Sequence, residues 1–315
     1  MTTIADIKVH KASGPWRILE ALAIEIVNDA SKNAKSDFNP VLGGGTRLML
    51  SMEHRISDDI DLFIRDPQWI GYLTPRLNDR FENVINDYDE GATSLKFRFP
   101  QGEIDFIVSM SLLGLPNEVS ADCAFALEPV AEVLAKKLFY RGWALTPRDL
   151  FDWRMIETTL PPTVTHAPQI ANLVAGRIDE IHAALTAMDN SAKAQLVWGG
   201  IRTPELPDFH ESIQWAQARL IEFRRMNLIA KLQAQGIEIR EVSDRAQYIG
   251  PITQVTDQLA VQGLGRNVVV IHDLDRLDGS FAIGQSAEIK YVDGQGHDRL
   301  QGLDRRQNDC PGCGL

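Results

Sequence analysis

Apolar residues recur along the first half of the chain with two different periods. Ile18, Leu19, Leu22 and Ile26 fall at helical spacing, which predicts a helix from Pro15 to Ala34 with one buried face. Asn39-Pro40 ends it, and Val41-Leu42 reads as a short strand running into Gly43-Gly44-Gly45-Thr46-Arg47. A helix is expected over Thr46–Met52 and an apolar, β-branched strand over Ile60–Ile64. Leu95–Phe99 and Ile104–Val108 flank Pro100-Gln101-Gly102, the pattern of a hairpin, whereas Ser120–Leu127 gives no clear signal. Glu128-Pro129 opens a strong helix through Tyr140, with Gly142 past its end. Thr146, Pro147 and Asp149 suit the start of another.

Beyond this mixed α and β region, residues 160–168 read as a linker. Ile170, Leu173, Val174, Ile178, Ile181 and Leu185 then return to helical spacing. Asp208 with Glu211 is a capping-box signature leading into a long helix to about Gln235, closed by Gly236. After Gly236 the texture changes to short apolar or alternating runs at 237–242, 252–255, 259–262, 268–271 and 287–292, punctuated by glycines. That spacing predicts a small all-β barrel. The resulting division is 1–158 (α+β), 159–236 (helical), 237–302 (β) and a disordered tail over 303–315.

A length of 315 residues fits two or three domains, and 44% hydrophobic with 24% charged residues is ordinary globular usage. No run is long and apolar enough to span a membrane, and the first residues lack an apolar secretory core, so the expected location is cytoplasmic. Net charge is −11, with 17 Lys and Arg against 23 Asp and Glu over residues 1–154. Global steering toward nucleic acid is therefore not expected, although a local basic groove, drawn from Lys96, Arg98, Lys136, Lys137, Arg141 and Arg148, remains open. Cys310 and Cys313 form a lone C-x-x-C near which only His297 is a further ligand type, and a polar tail is the better reading than a zinc site.

The informative stretch is 41–64. A glycine run and a threonine follow a strand, and after thirteen residues beyond Gly45 have intervened comes Asp59-Ile60-Asp61 at the head of the next strand. Residues i and i+2 of a strand share a face, so Asp59 and Asp61 are expected to project together while Ile60 and Leu62 turn to the core. Two carboxylates so close repel unless a cation lies between them, and hard oxygen donors suit Mg²⁺. Glycines allow close approach to a phosphate, which the following helix N-terminus can also bind. Asp105, set between apolar residues in the second hairpin strand, is the natural third carboxylate for a two-metal phosphoryl-transfer site. The run is neither G-x-G-x-x-G nor a Walker P-loop.

Gly44-Gly45-Thr46, Arg55-x-Ser57, Asp59-Ile60-Asp61-Leu62, Ile104-Asp105-Phe106, Leu134-Ala135-Lys136-Lys137-Leu138 and Arg148-Asp149-Leu150-Phe151-Asp152 occur in order. Over residues 15–155 they resemble the signature of the AbiEii/AbiGii-type nucleotidyltransferase toxins, of the polymerase-β-like superfamily. The resemblance implies a mixed sheet flanked by helices and an NTP-dependent enzyme of a toxin–antitoxin or abortive-infection pair. Its acceptor would be an RNA, with tRNA a candidate, or a protein such as a cognate antitoxin. It implies that Gly44, Gly45, Thr46 and Ser57 hold the triphosphate and that Asp59, Asp61 and Asp105 bind two Mg²⁺, or Mn²⁺. Asp105 would also activate the acceptor hydroxyl. Lys137, or Lys136 in its place, would neutralise triphosphate charge; the two lie about 100° apart on a helix, so one is expected to face the cleft. Arg148 and Asp149 would contact nucleotide or orient Lys137, Asp152 would cap or brace its helix, and Arg55 could equally be a structural ion-pair partner.

Tyr248-Ile249-Gly250-Pro251-Ile252, Thr256, Gln262, His272-Asp273, Gly284 and Ile289-x-Tyr291 resemble a KfrB-type domain, a module appended to plasmid and mobile-element proteins. His272 follows an apolar run, and a hydrogen-bonded strand-end histidine is expected there rather than a catalytic one. An alternative for the whole chain is an NTP-binding regulatory or scaffold protein of a mobile element.

Overall fold

The computed structural model describes residues 2–77, 79–81 and 84–298. The chain divides into two compact units, one up to Leu220 and one from Ile221. In chain order the first unit contains α1 (Ile4–Ser13), α2 (Trp16–Ala34), β1 (Val41–Leu42), α3 (Gly44–Met52), β2 (Ile60–Ile64) and α4 (Trp69–Leu73). There follow β3 (Asp87–Glu90), β4 (Ser94–Phe99), β5 (Gly102–Val108), β6 (Ala126–Leu127), α5 (Val130–Arg141) and α6 (Pro147–Thr159). The helices α7 (Pro162–Thr165), α8 (Ala167–Leu173), α9 (Ile178–Asp189) and α10 (Ala192–Gly199) complete it, and α11 (Phe209–Ala234) crosses the division.

The first sheet has the order β3-β4-β5-β2-β1-β6. β4 and β5 form the expected antiparallel hairpin, while β5 and β2 run parallel with Ile60 opposite Ile104 and Asp61 opposite Asp105. Ile60, Leu62, Ile104 and Phe106 are fully buried against the Trp16, Leu19, Ala23 and Ile26 row of α2. Fully burying such side chains contributes about 1.5–3 kcal/mol each, and this is what fixes the alternation: Asp61 and Asp105 are left on the opposite face. Ile18 does not share the buried row; it is 51% exposed because it stands about 200° around the helix from Trp16.

Several boundaries differ from the sequence reading. α3 begins at Gly44 rather than Thr46, with Gly43 as its cap. The stretch 160–168 is itself largely helical: it forms α7 and the start of α8, divided by His166 in the left-handed region. Thr146 caps α6 in a reciprocal capping box with Asp149, as the pattern predicts. The Asp208 side chain accepts from the Glu211 amide at the head of α11.

The second unit holds β7 (Glu238–Arg240), β8 (Gln247–Val255), β9 (Leu259–Gly265), β10 (Val268–Asp273), β11 (Leu277–Asp278), β12 (Ser286–Val292) and β13 (Gln295–Asp298). Gly236, with φ +74°, turns the chain out of α11, and the Ile237 amide bonds back to the Leu232 carbonyl. The sheet order is β11-β13-β12-β8-β9-β10-β7. The expected small β unit is thus a seven-stranded sheet, and among the described residues no pairing of β11 with β7 closes it into a barrel. β8 serves both halves, pairing with β12 up to Pro251 and with β9 from Ile252. Gly250 permits that change of partner: a Cβ there would lie 1.9 Å from the Gly263 carbonyl oxygen. The 303–315 tail and the Cys310/Cys313 pair lie outside the described residues, and His297 is hydrogen-bonded to Asp278.

Candidate active site

Three adjoining cavities open over the face of the first sheet opposite α2. The central one, of about 340 Å³, is lined by Asp59, Asp61, Asp105, Glu103 and Lys96 from the strands and their leads, by Gly45 and Ser57, and by Lys137, Arg141, Arg148 and Asp149. Asp61 and Asp105 are lateral neighbours in the parallel register, and Asp59 immediately precedes β2. The β2–β5 pairing thus brings together the three carboxylates picked from sequence.

Their chemistry is set by burial and by mutual repulsion, which Lys96 and Lys137 offset only in part. Burial pushes Asp105 up to about 6 against the opposing effect of Lys96, and the charge of Asp61 adds to the rise. Asp61 is raised too, by burial first and then by Asp59, against the influence of Lys137. Carboxylate oxygens are the donors a hard divalent cation takes, and a bound cation would relieve this excess charge, so the residues fit one by donor type and charge. Among the described residues no group of three or more His, Cys, Asp or Glu forms a set able to hold a metal as it stands. Two of the oxygens concerned have other partners. Asp59 Oδ1 accepts from the Glu103 amide at 3.1 Å, and Asp105 Oδ2 is 3.0 Å from Lys96 Nζ. Lys96 also binds Glu103 at 2.6 Å.

Gly44 has φ +63°, and a Cβ built on it would lie 1.7 Å from Asp61 Oδ2; at Gly45 it would lie 2.7 Å from both Ser57 Oγ and Arg55 Nη2. The glycines therefore let the start of α3 lie directly against the carboxylates. Gly44→Ala is expected to displace Asp61 and lower the rate of any reaction at this cleft by about 10²-fold, the cost of an ångström-scale misplacement. Initial-rate measurement checks it, and a rate within twofold of wild type would contradict it. Thr46 is fully buried, and its hydroxyl donates to the Asp59 carbonyl rather than lining the cleft. The Ser57 hydroxyl has no hydrogen-bond partner among the described residues.

The lysine pair is separated as helical spacing predicts. Lys137 lines the acidic cleft with its ammonium 2.5 Å from Asp149 and 3.1 Å from Asp152. Lys136 is bonded to Glu128 and lies 3.9 Å from the Phe63 ring centroid, on the neighbouring recess. Burial pushes Glu128 up to about 7 despite that lysine. Arg98 is absent from the cleft walls; it pairs with Asp87 and Glu103. Arg148 is exposed at the rim and has no ion pair among the described residues.

Asp152 does more than brace α6. Fully buried, it accepts from Arg55 Nε and Nη2 at 2.7 and 2.8 Å and bonds His54 Nε2 at 2.8 Å. Burial alone would raise its carboxyl, but the charges of Arg55 and Lys137 hold it well below the usual carboxylate range. Arg55 is thus a structural ion-pair partner that also lines the cleft. His54, Asp152 as a hub, and Glu128 escape the sequence reading. Nothing local marks residues about a hundred positions apart as partners.

In the second unit, His272 is fully buried, 2.9 Å from the Tyr291 hydroxyl and 3.0 Å from Gln262 Oε1. The Gln262 amide in turn donates to the Gly250 and Ala287 carbonyls. This is the hydrogen-bonded histidine expected from sequence. Burial lowers it to about 4. An unfolded histidine titrates near 6.5, so between those values the unfolded chain takes up a proton that the folded unit refuses. Stability is then complete above about pH 6.5 and declines as pH falls toward 4, by about 3 kcal/mol. Hydrogen exchange at Val269–Ile271 should follow this curve and His272→Gln should flatten it; an unchanged slope in the variant would contradict the assignment.

No helix among the described residues is long and apolar enough to cross a membrane. The family profile described as nucleotidyl transferase AbiEii toxin, type IV TA system, matches residues 30–220, and the KfrB domain profile matches 247–298. Among curated proteins no sequence matches the chain. Similar solved structures include JHP933 from Helicobacter pylori, 12% identical, covering 70% of this chain and 97% of its own with a TM-score of 0.38. MenT4, a nucleotidyltransferase toxin from Mycobacterium tuberculosis H37Rv, is 14% identical over 72% of this chain and 93% of its own, with a TM-score of 0.40. The Megavirus polyadenylate synthase is 11% identical over 96% of this chain and 62% of its own, with a TM-score of 0.29.

Proposed function

Because the chain belongs to the AbiEii nucleotidyltransferase toxin family of type IV toxin–antitoxin systems, we propose that it transfers a nucleotidyl group from an NTP to an RNA acceptor, with tRNA the first candidate. The observation that carries this reading is the parallel register setting Asp61 beside Asp105 next to Gly44. In it, Asp59, Asp61 and Asp105 hold divalent cations, two Mg²⁺ or Mn²⁺ in their place. When bound, such ions neutralise developing charge on the transferred phosphoryl group.

The chain's own groups do the rest. The amides of Gly44 and Gly45 at the start of α3, with the Ser57 hydroxyl, bind the triphosphate, Thr46 braces the Asp59 carbonyl behind them, and Lys137 balances part of the charge. Asp149 and Asp152 fix that lysine, while Arg148 contacts the nucleotide from the rim. Asp105 takes the proton of the acceptor hydroxyl. The acceptor oxygen bonds to the α-phosphorus, the bond from that phosphorus to the β-bridging oxygen breaks, and pyrophosphate leaves.

An RNA acceptor draws support from the cavity beyond Asp59, of about 400 Å³, where Arg148 has no ion pair among the described residues while Arg55 and Arg202 are held by Asp152 and Asp58. The KfrB unit is proposed as a targeting module, and a cognate antitoxin as the protein partner. Incubation with each α-labelled NTP, Mg²⁺, total tRNA and a protein fraction tests the reading. Ribonuclease-sensitive label is expected; protease-sensitive label would assign the acceptor to protein, and no label in either would overturn the proposal.

A further inference from the structure

We propose that the apolar recess beside the carboxylates holds the heteroaromatic base of the nucleoside triphosphate, which leaves the arginine-bearing cavity for the acceptor; this rests on the nucleotidyl-transfer reading above. The recess, of about 480 Å³, lies within the size range of small-molecule sites and has Phe63, Ile107, Val108, Val133 and Tyr140 among its walls.

The order of the cavities restricts what can lie where. The recess shares Gly45, Asp61, Lys137 and Arg141 with the central cleft, and the central cleft shares Arg55, Ser57, Asp59 and Arg148 with the arginine cavity. The two outer cavities have no lining residue in common. A triphosphate in the central cleft therefore extends its nucleoside to one side and meets its acceptor from the other. Strand geometry settles which. On the cleft face β2 reads Asp61 then Phe63, and β5 reads Asp105 then Ile107, with Phe63 opposite Ile107 in the same register that pairs the acids. Two residues of strand advance by about 6.6 Å. An apolar pair thus follows the carboxylate pair one step along the same surface, as a charged group joined to a flat apolar one requires.

Other features agree. Phe63 is half-buried and Tyr140 is 47% exposed, so both rings keep surface available outside the core. Gly44 and Gly45 stand where the recess meets the acids, and a side chain at Gly44 would collide with Asp61. Lys136, on Phe63 and bonded to Glu128, adds a charged donor to those of Lys137 and Arg141 where the recess meets the cleft. The arginine cavity also has Ile56, Phe99, Pro100 and Ile201 in its walls, but Phe99 and Ile201 are buried, and Asp58, Asp59, Gln101 and three arginines make its surface mainly polar.

Calorimetric titration of the full chain with each of the four NTPs and with inorganic tripolyphosphate, in Mg²⁺, separates base from phosphate binding. Tyr140→Ala and Ile107→Ser should each weaken the tightest NTP about tenfold, the scale of one lost base–aromatic contact, while tripolyphosphate affinity stays within twofold. NTP affinity unchanged in both variants, or equal loss for NTP and tripolyphosphate, would overturn the proposal. Failure of the wild-type chain to bind either ligand would instead overturn the nucleotide reading on which it rests.

Discussion

Asp61→Asn is expected to lower nucleotidyl transfer by about 10³-fold or more, roughly 4 kcal/mol of lost transition-state stabilisation, without destabilising the first unit. The two halves of that expectation have one cause. Asp61 sits among Asp59, Asp105 and the start of α3, where burial already disfavours its charged form. A carboxyl whose folded titration lies above its unfolded value works against folding at neutral pH, so an uncharged isostere removes a penalty. Thermal unfolding of the variant should occur at or above the wild-type midpoint. A variant that lost activity and stability together would indicate a structural carboxylate instead.

Asp152→Ala should do the reverse to stability. Three groups converge on this fully buried carboxylate: Arg55 through two hydrogen bonds, His54 through one, and Lys137 at 3.1 Å. Removing it leaves the buried Arg55 guanidinium without its counter-charge, while Lys137 keeps Asp149, and an unpaired buried charge costs about 3–5 kcal/mol. For a unit of this size that lowers the melting midpoint by roughly 10 °C. Activity should fall as well, because Lys137 and Arg55 both line the cleft. Since the Asp152 carboxyl titrates well below its unfolded value, the stability it provides is present above about pH 4 and is lost as pH falls further. Calorimetry of wild type and variant at pH 7 checks the magnitude, and a shift under 2 °C would contradict the hub assignment.

What could be read in advance follows the reach of each signal. Alternation at Ile60/Leu62 and Ile104/Phe106 is local, and it already dictates that Asp61 and Asp105 share the face away from the core. Thr146 with Asp149 and the glycine at 236 are equally local, and their helix ends are close to where the pattern puts them. β3 and β13 leave no such trace: Asp87–Glu90 is an exposed polar edge strand, and Gln295–Asp298 is as polar, its Gly296 packed beneath Leu277. The first part of β8 is hidden because Gly250-Pro251 looks like a break, whereas the glycine is there for close approach of a neighbouring strand.

The same distinction runs through the site. The Gly44-Gly45 and Asp59-x-Asp61 spacing is visible in a single segment. The hand that Lys96 lays on Asp105 depends on strand register, with Lys96 directly opposite Asp105 in the β4–β5 ladder. The Asp152 hub depends on α6 packing beside α5. Thr46 shows the limit of a motif: its hydroxyl is turned to the Asp59 carbonyl, a brace for the acid rather than a lining of the cleft.

The most direct measurement is Mn²⁺ uptake by the full chain, read by electron paramagnetic resonance with and without NTP, in wild type, Asp61→Asn and Asp105→Asn. Bound Mn²⁺ is expected in wild type, increasing when NTP is added, and is expected to be lost in both variants. Uptake that is the same in all three proteins, or unaffected by NTP, would contradict the claim that these acids from two adjacent strands form a nucleotide-linked cation site.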